Sequence, residues 1–228
     1  MRTMPTIRSL QWLRGGSRLG LLATVVGLLA IDVPSIPAPS KGIVFTMIPS
    51  SAAITACLPN ATAKVRLRSA RNNQIMTVRA KGLAPNAGYD LFVIQVPHAK
   101  FGIAWYQSDL QTDQHGEGAA TVRGIFSNET FSVSQDTLTT NGRENTPQTG
   151  ATFNAVNQYH LGLWFNDPQV PFHLGCEPGK TAPVVTPFNG EQNAGIQVLN
   201  TGSFPVNSGP LRQFSPSGAF LDVPAAAF

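Results

Sequence analysis

Residues 63–83 read "AKVRLRSARNNQIMTVRAKGL", and their alternation decides the fold class. Val65 and Leu67 face one way, with Lys64, Arg66 and Arg68 facing the other. After a turn at Arg71-Asn72-Asn73 the same rhythm returns, with Met76, Val78 and Ala80 inward and Thr77, Arg79 and Lys81 outward. A period of two over both arms, broken by polar turn residues, predicts an antiparallel hairpin with one buried face. The outward face carries six bases and no acid between Lys64 and Lys81. That pattern is a solvated sheet face, or a patch for an anionic cell-wall polymer or lipid headgroups.

Downstream, "GLAPNAGYDLFVIQVP" (82–97) is a Gly/Pro/Asn turn followed by a strand from Tyr89 to Val96 that is apolar on both faces. A strand of that kind is central in its sheet, covered on both sides. Further strands are expected at 102–111, 118–127, 129–134, 157–166 and 194–200, and no helical period is sustained after Ile31. Many short strands with turn signals and no helical connections predict an all-β, antiparallel β-sandwich or jelly-roll-like domain. It would occupy residues 41–206, interrupted by a long polar loop at 134–152 and followed by a flexible Pro/Ser/Ala-rich tail at 207–228.

Upstream, Arg2, Arg8, Arg14 and Arg18 precede "LGLLATVVGLLAI" (19–31). Residues 1–40 therefore read as a secretory signal peptide, cleaved after Ala38-Pro39-Ser40, or as an N-terminal membrane anchor with a Pro-rich spacer. Either way the body of the protein is expected outside the cytoplasm, extracellular, periplasmic or at the cell surface, and touches membrane only through that segment if uncleaved. Residues 41–228 retain 12 of the 16 bases and 11 of the 12 acids, a net charge of about +1, so nucleic acid is not an expected partner. Two cysteines in an exported chain predict a disulfide, Cys57 to Cys176. The rival reading of Cys57 is a lipidated cysteine in "ITAC" (54–57). The 119-residue separation is too wide for the immunoglobulin inter-sheet pair.

"QTDQHGEG" (111–118) puts Asp113, His115 and Glu117 at alternate positions, as a calcium loop does. Histidine suits calcium poorly, however, while Asp113, Gly116 and Gly118 suit a hairpin turn. His98, His160 and His173 meeting at one end of a sandwich would make a copper or zinc site, although no H-x-E-x-x-H spacing exists. Asp109 with Glu129 or Glu191 could pair for glycoside hydrolysis only through the fold. There is no nucleophile elbow, P-loop or dinucleotide fingerprint, so no catalytic residue and no cofactor is assigned. The distinctive chemistry is aromatic rings beside amides and acids. Trp105, Tyr106, Asp109, Trp164 and Asn166 are the ligand-binding candidates, since ring stacking with hydroxyl hydrogen bonding is how sugars are held.

With "GLAPNAGYDLFVIQVP", "FGIAWYQSDLQTD", "YHLGLWFNDP" and "VTPFNGEQNAGIQVLNTGSFP" read together, the chain resembles, over about residues 57–210, a group of exported bacterial β-sandwich proteins. The resemblance implies an exported domain and carries no activity with it. The H-x-H strand of copper/zinc superoxide dismutase-like sandwiches has no counterpart. The expected function is a non-catalytic surface or matrix module binding carbohydrate or a cell-envelope polymer. The alternatives are a metal-dependent extracellular enzyme and a purely structural envelope protein.

Overall fold

The computed structural model describes residues 42–98, 101–135, 153–187 and 193–215. It begins with a strand that alternation alone does not reveal, β1 (Val44–Pro49), and a short helix, α1 (Ala52–Cys57). The predicted hairpin follows as β2 (Thr62–Ser69) and β3 (Gln74–Lys81), paired antiparallel along their full length. Val65, Leu67, Met76 and Val78 are fully buried, and the bases between them are exposed.

Next come β4 (Gly88–Ile94), β5 (Ala104–Gln111), β6 (Gly118–Gly124), β7 (Phe131–Gln135), β8 (Phe153–Asn157) and β9 (His160–Phe165). The short α2 (Gln169–His173), β10 (Thr186–Pro187), β11 (Asn193–Ala194), β12 (Gln197–Asn200) and a 3-10 turn at Pro210–Gln213 complete the described chain. Eight strands form one antiparallel sheet in the order β5-β4-β9-β12-β1-β2-β3-β6. β1 divides that sheet into two layers, because Val44 to Met47 pair with β2 while Ile48 and Pro49 pair with β12. The result is the expected all-β antiparallel sandwich, nearly closed on itself. As its composition predicted, β4 is central, flanked by β5 and β9.

Closure depends on one corner. The β5–β6 turn yields a single bridge, Thr112 to Gly118, after which β5 pairs with β4 and β6 with β3. The predicted turn is present, but its two strands separate into different layers rather than continue as a hairpin ladder. Thr112 is buried; its hydroxyl accepts from the Ala87 amide at 2.9 Å and donates to the Ala84 carbonyl at 2.7 Å. The Ala84 amide in turn donates to the Tyr89 hydroxyl at 2.9 Å. Gly116, with φ of 72°, lies so close that a Cβ there would collide with the Leu83 carbonyl oxygen.

One boundary shifts from that expected. The chain stays packed past residue 206: Leu211 is fully buried and Phe214 nearly so in the main core, because their spacing of three places both on one side of the 3-10 turn. Residues 216–228 lie outside the described residues. So do residues 136–152 of the polar loop, although β7 extends to Gln135. Helices also occur, short enough to escape periodicity. α1 is fixed by Ser51, whose hydroxyl caps the Ile54 amide at 3.2 Å, and by burial of Ile54. Residues 1–41, with the signal or anchor reading, also lie outside the described residues. Among those described, no helix is long and apolar enough to cross a membrane.

Cys57 at the end of α1 and Cys176 just after α2 form the predicted disulfide, with Cα atoms 5.1 Å apart. Both thiols are therefore occupied, which removes the lipidated-cysteine reading. Closing a loop with a sequence separation of 119 restricts the unfolded chain strongly in the chain-entropy model. The double variant Cys57→Ser/Cys176→Ser is expected to lose about 2–5 kcal/mol of stability, read as a lower urea midpoint than that of the oxidised parent.

Candidate functional site

The candidate site is built on β4, β5 and β9. In a regular strand Tyr106 and Asp109, three residues apart, would point to opposite faces. The register shifts here: Leu91 pairs with Ser108, but the next residue, Phe92, pairs with Tyr106, leaving Gln107 as the extra residue of a bulge. The bulge resets the alternation. Tyr106 and Asp109 consequently share the outward face, while Trp105 turns inward to pack against the main core.

Asp90 of β4 stands directly opposite Asp109 of β5 on one side and Trp164 of β9 on the other. It is the one carboxylate within an otherwise apolar strand, and it is buried. Burial raises its pKa above the ordinary carboxylate value; the Asn166 amide, donating to its Oδ1 at 2.9 Å, acts the other way, and the Asp109 charge raises it further. The Tyr106 hydroxyl bonds to the Asp109 carboxylate. Its pKa is raised by desolvation and then by that carboxylate, so the phenol stays protonated and donates. Gly88 leaves a notch between Asn166, whose Cβ lies 3.4 Å from where a Gly88 Cβ would stand, and the Gln111 amide oxygen at 3.5 Å. Carboxylates, amides and a half-exposed phenol thus share one outward face, donors interleaved with acceptors.

Of the five residues singled out by sequence, Tyr106, Asp109 and Asn166 join this cluster. Trp105 does not, being half-buried on the inner face with Nε1 donating to Gln107 Oε1 at 3.3 Å. Trp164 is only 2% exposed, so its ring is not a stacking surface for a ligand. It is wedged edge-to-face between Phe92 and Phe101, at 5.4 and 5.3 Å, in a second small core that Ala194 helps to complete. Trp164 flanks the site on the same face, next to Asp90. Sequence reasoning missed Asp90, Gln111 and Gly88. A lone acid in a buried strand was a legible signal for the first; the other two depend on register. Glu129 lies far along the chain between β6 and β7, Glu191 lies outside the described residues, and the carboxylate that actually faces Asp109 is Asp90.

The histidines do not assemble. His160 is fully buried, with Nδ1 at 2.9 Å from the Thr201 hydroxyl and Nε2 at 2.9 Å from the Val206 carbonyl. Nε2 carries the proton and donates, while Nδ1 accepts, so neither nitrogen offers a lone pair to a metal. His98 is exposed and near enough to influence His160, whereas His173 sits in the last turn of α2 against Phe172. No group of three metal-ligating side chains forms among the described residues. Asp113 is likewise committed to its own turn, its Oδ1 accepting from the His115 and Glu117 amides at 2.8 and 3.0 Å. Those amides, Glu117 first, hold its pKa below the ordinary value. This is turn chemistry rather than a calcium loop.

No family model matches the chain, and no curated protein matches it. Function is therefore read from the geometry of its own residues.

Burial lowers the His160 pKa below its ordinary 6.5, with the Val206 and Pro205 carbonyls acting in the opposite direction. The unfolded chain then takes up a proton more readily than the folded one. The His160 contribution is intact above pH 6.5 and is lost as pH falls through the depressed folded value. Urea midpoints should fall as the pH is lowered below about 6.5. In His160→Gln most of that pH dependence should disappear, with stability lower by about 1–3 kcal/mol above that pH.

Proposed function

We propose that this chain is a non-catalytic binding module for carbohydrate of a cell envelope or matrix, and that the cluster at Tyr106, Asp109, Asp90, Asn166 and Gln111 is its binding site. The observation that carries the reading is the bulge at Gln107, which sets an exposed ring (Tyr106, 51% exposed) beside a facing carboxylate pair on one outward surface. A sugar offers that surface what it lacks: hydroxyls that donate to Asp90 and Asp109, and a C–H face to lie against the phenol. A surface built only for packing would have covered Tyr106 and would not have opposed two acids. The disulfide and the basic-then-apolar N-terminal sequence support an exported setting.

Glycan-array screening followed by titration of the best ligand tests the reading. Tyr106→Ala and Asp109→Asn should each weaken binding about tenfold with the fold intact, roughly what one stacked ring or one charged hydrogen bond supplies. Trp164→Ala should instead lower stability by about 3–5 kcal/mol, as loss of a buried ring does. A folded parent that retains no envelope glycan overturns the proposal.

A further inference from the structure

The outer face of the other layer has a different chemistry. Its cross-strand rows run Thr46–Lys64–Arg79–Ala119, then Val44–Arg66–Thr77–Thr121, then Arg68–Ile75–Arg123, with Thr62 and Lys81 paired beyond the first. Lys64, Arg66, Arg68, Arg79, Lys81 and Arg123 are all exposed on this one face. Along β2 the bases recur about every 7 Å, and strands lie about 4.8 Å apart, so the cations form a grid. Lys64 stands directly opposite Arg79. Two like charges in that position destabilise a sheet, and nothing in the packing of the core requires either.

A groove of about 640 Å³ occupies one end of this face, lined by Thr46, Thr62, Lys64, Arg79, Lys81 and Glu117 among others, and the exposed bases Arg66, Arg68 and Arg123 continue the cationic rows beyond it. Glu117 is the single acid among the residues that line it. The balancing acids are elsewhere, Asp90 and Asp109 on the other layer and Asp113 at the corner. A near-neutral body therefore carries a strongly segregated charge.

We propose that the outer face of β1, β2, β3 and β6 is a docking groove for a linear polyanion, a polymer bearing repeated phosphate, sulfate or carboxylate groups. This is independent of the carbohydrate site on the opposite layer. Charge complementarity selects an anion, and a row of cations repeating along a strand selects a polymer over a single ion. No aromatic residue stands in the three rows to stack on a base, so the face reads charge and not nucleobases. A bilayer is the rival surface, because Val44 and Ile48 are exposed on β1 beside the bases. The concave groove favours a chain.

The test is titration of the full chain with inorganic polyphosphate, dextran sulfate and polygalacturonate at several salt concentrations. The three polymers separate the anion types. Binding should fall steeply with salt, and Lys64→Gln/Arg79→Gln should weaken it about tenfold and reduce the log–log salt slope by about two, one per lost contact. The charge-preserving pair Lys64→Arg/Arg79→Lys should keep near-parent affinity. Because the neutral double variant relieves a like-charge pair, its urea midpoint should not drop, which separates lost contacts from lost fold. The proposal is overturned by no binding to any of the polymers, by binding unchanged in the neutral double variant, or by stronger retention on vesicles of anionic phosphatidylglycerol. Tighter binding of oligothymidine than of polyphosphate at equal phosphate would also overturn it, since that demands contacts to bases.

Discussion

The buried hydroxyl of Thr112 is the point on which closure of the sandwich depends. It joins the β3–β4 turn to the β5–β6 turn by accepting from Ala87 and donating to Ala84, while the Thr112 amide donates to the Ala87 carbonyl at 3.0 Å. Each such bond contributes only about 1 kcal/mol net, yet leaving any of these buried groups without its partner costs about 1–3 kcal/mol. The corner is therefore held more by the penalty of breaking it than by the gain of making it. With it in place, the end strands β5 and β6 of the sheet are brought together, and the two layers enclose one core.

Two layers leave two outer faces, and the chain uses them oppositely. One carries Asp109 facing Asp90; the other carries Lys64 facing Arg79. Both arrangements place like charges across adjacent strands, which works against the sheet. Proteins commonly depart from local consistency where function asks for it. Here the departures sit on outer surfaces, where the main core does not need them, and the two charge signs are kept apart by the thickness of the sandwich.

The bulge at Gln107 shows how little is needed to make a surface. Without one extra residue, Tyr106 and Asp109 would fall on different sides of β5, and the ring that now meets solvent would lie in the core. With it, Trp105 packs inward and Tyr106 outward, edge-to-face against Phe92 at 5.6 Å. Phe92 in turn meets Trp164 edge-to-face, so the exposed phenol lies beside a row of buried rings on the same face.

Much of this was legible in the sequence. The β2–β3 hairpin, its inward and outward residues, the central position of β4, the turn at Asp113 and the Cys57–Cys176 disulfide all follow from signals that are local or few in kind: period-two alternation, turn residues, and two cysteines with only each other to pair with. Other features were not legible. The division of β1 between layers, the bulge at Gln107, the burial of Trp164, the pairing of Asp90 with Asp109 and the packing of Leu211 and Phe214 depend on which distant strand becomes a neighbour and in what register. A sequence states what each residue prefers to be near. Which preferences are met is decided only when the sheet closes, because a shift of one residue exchanges the two faces of a strand.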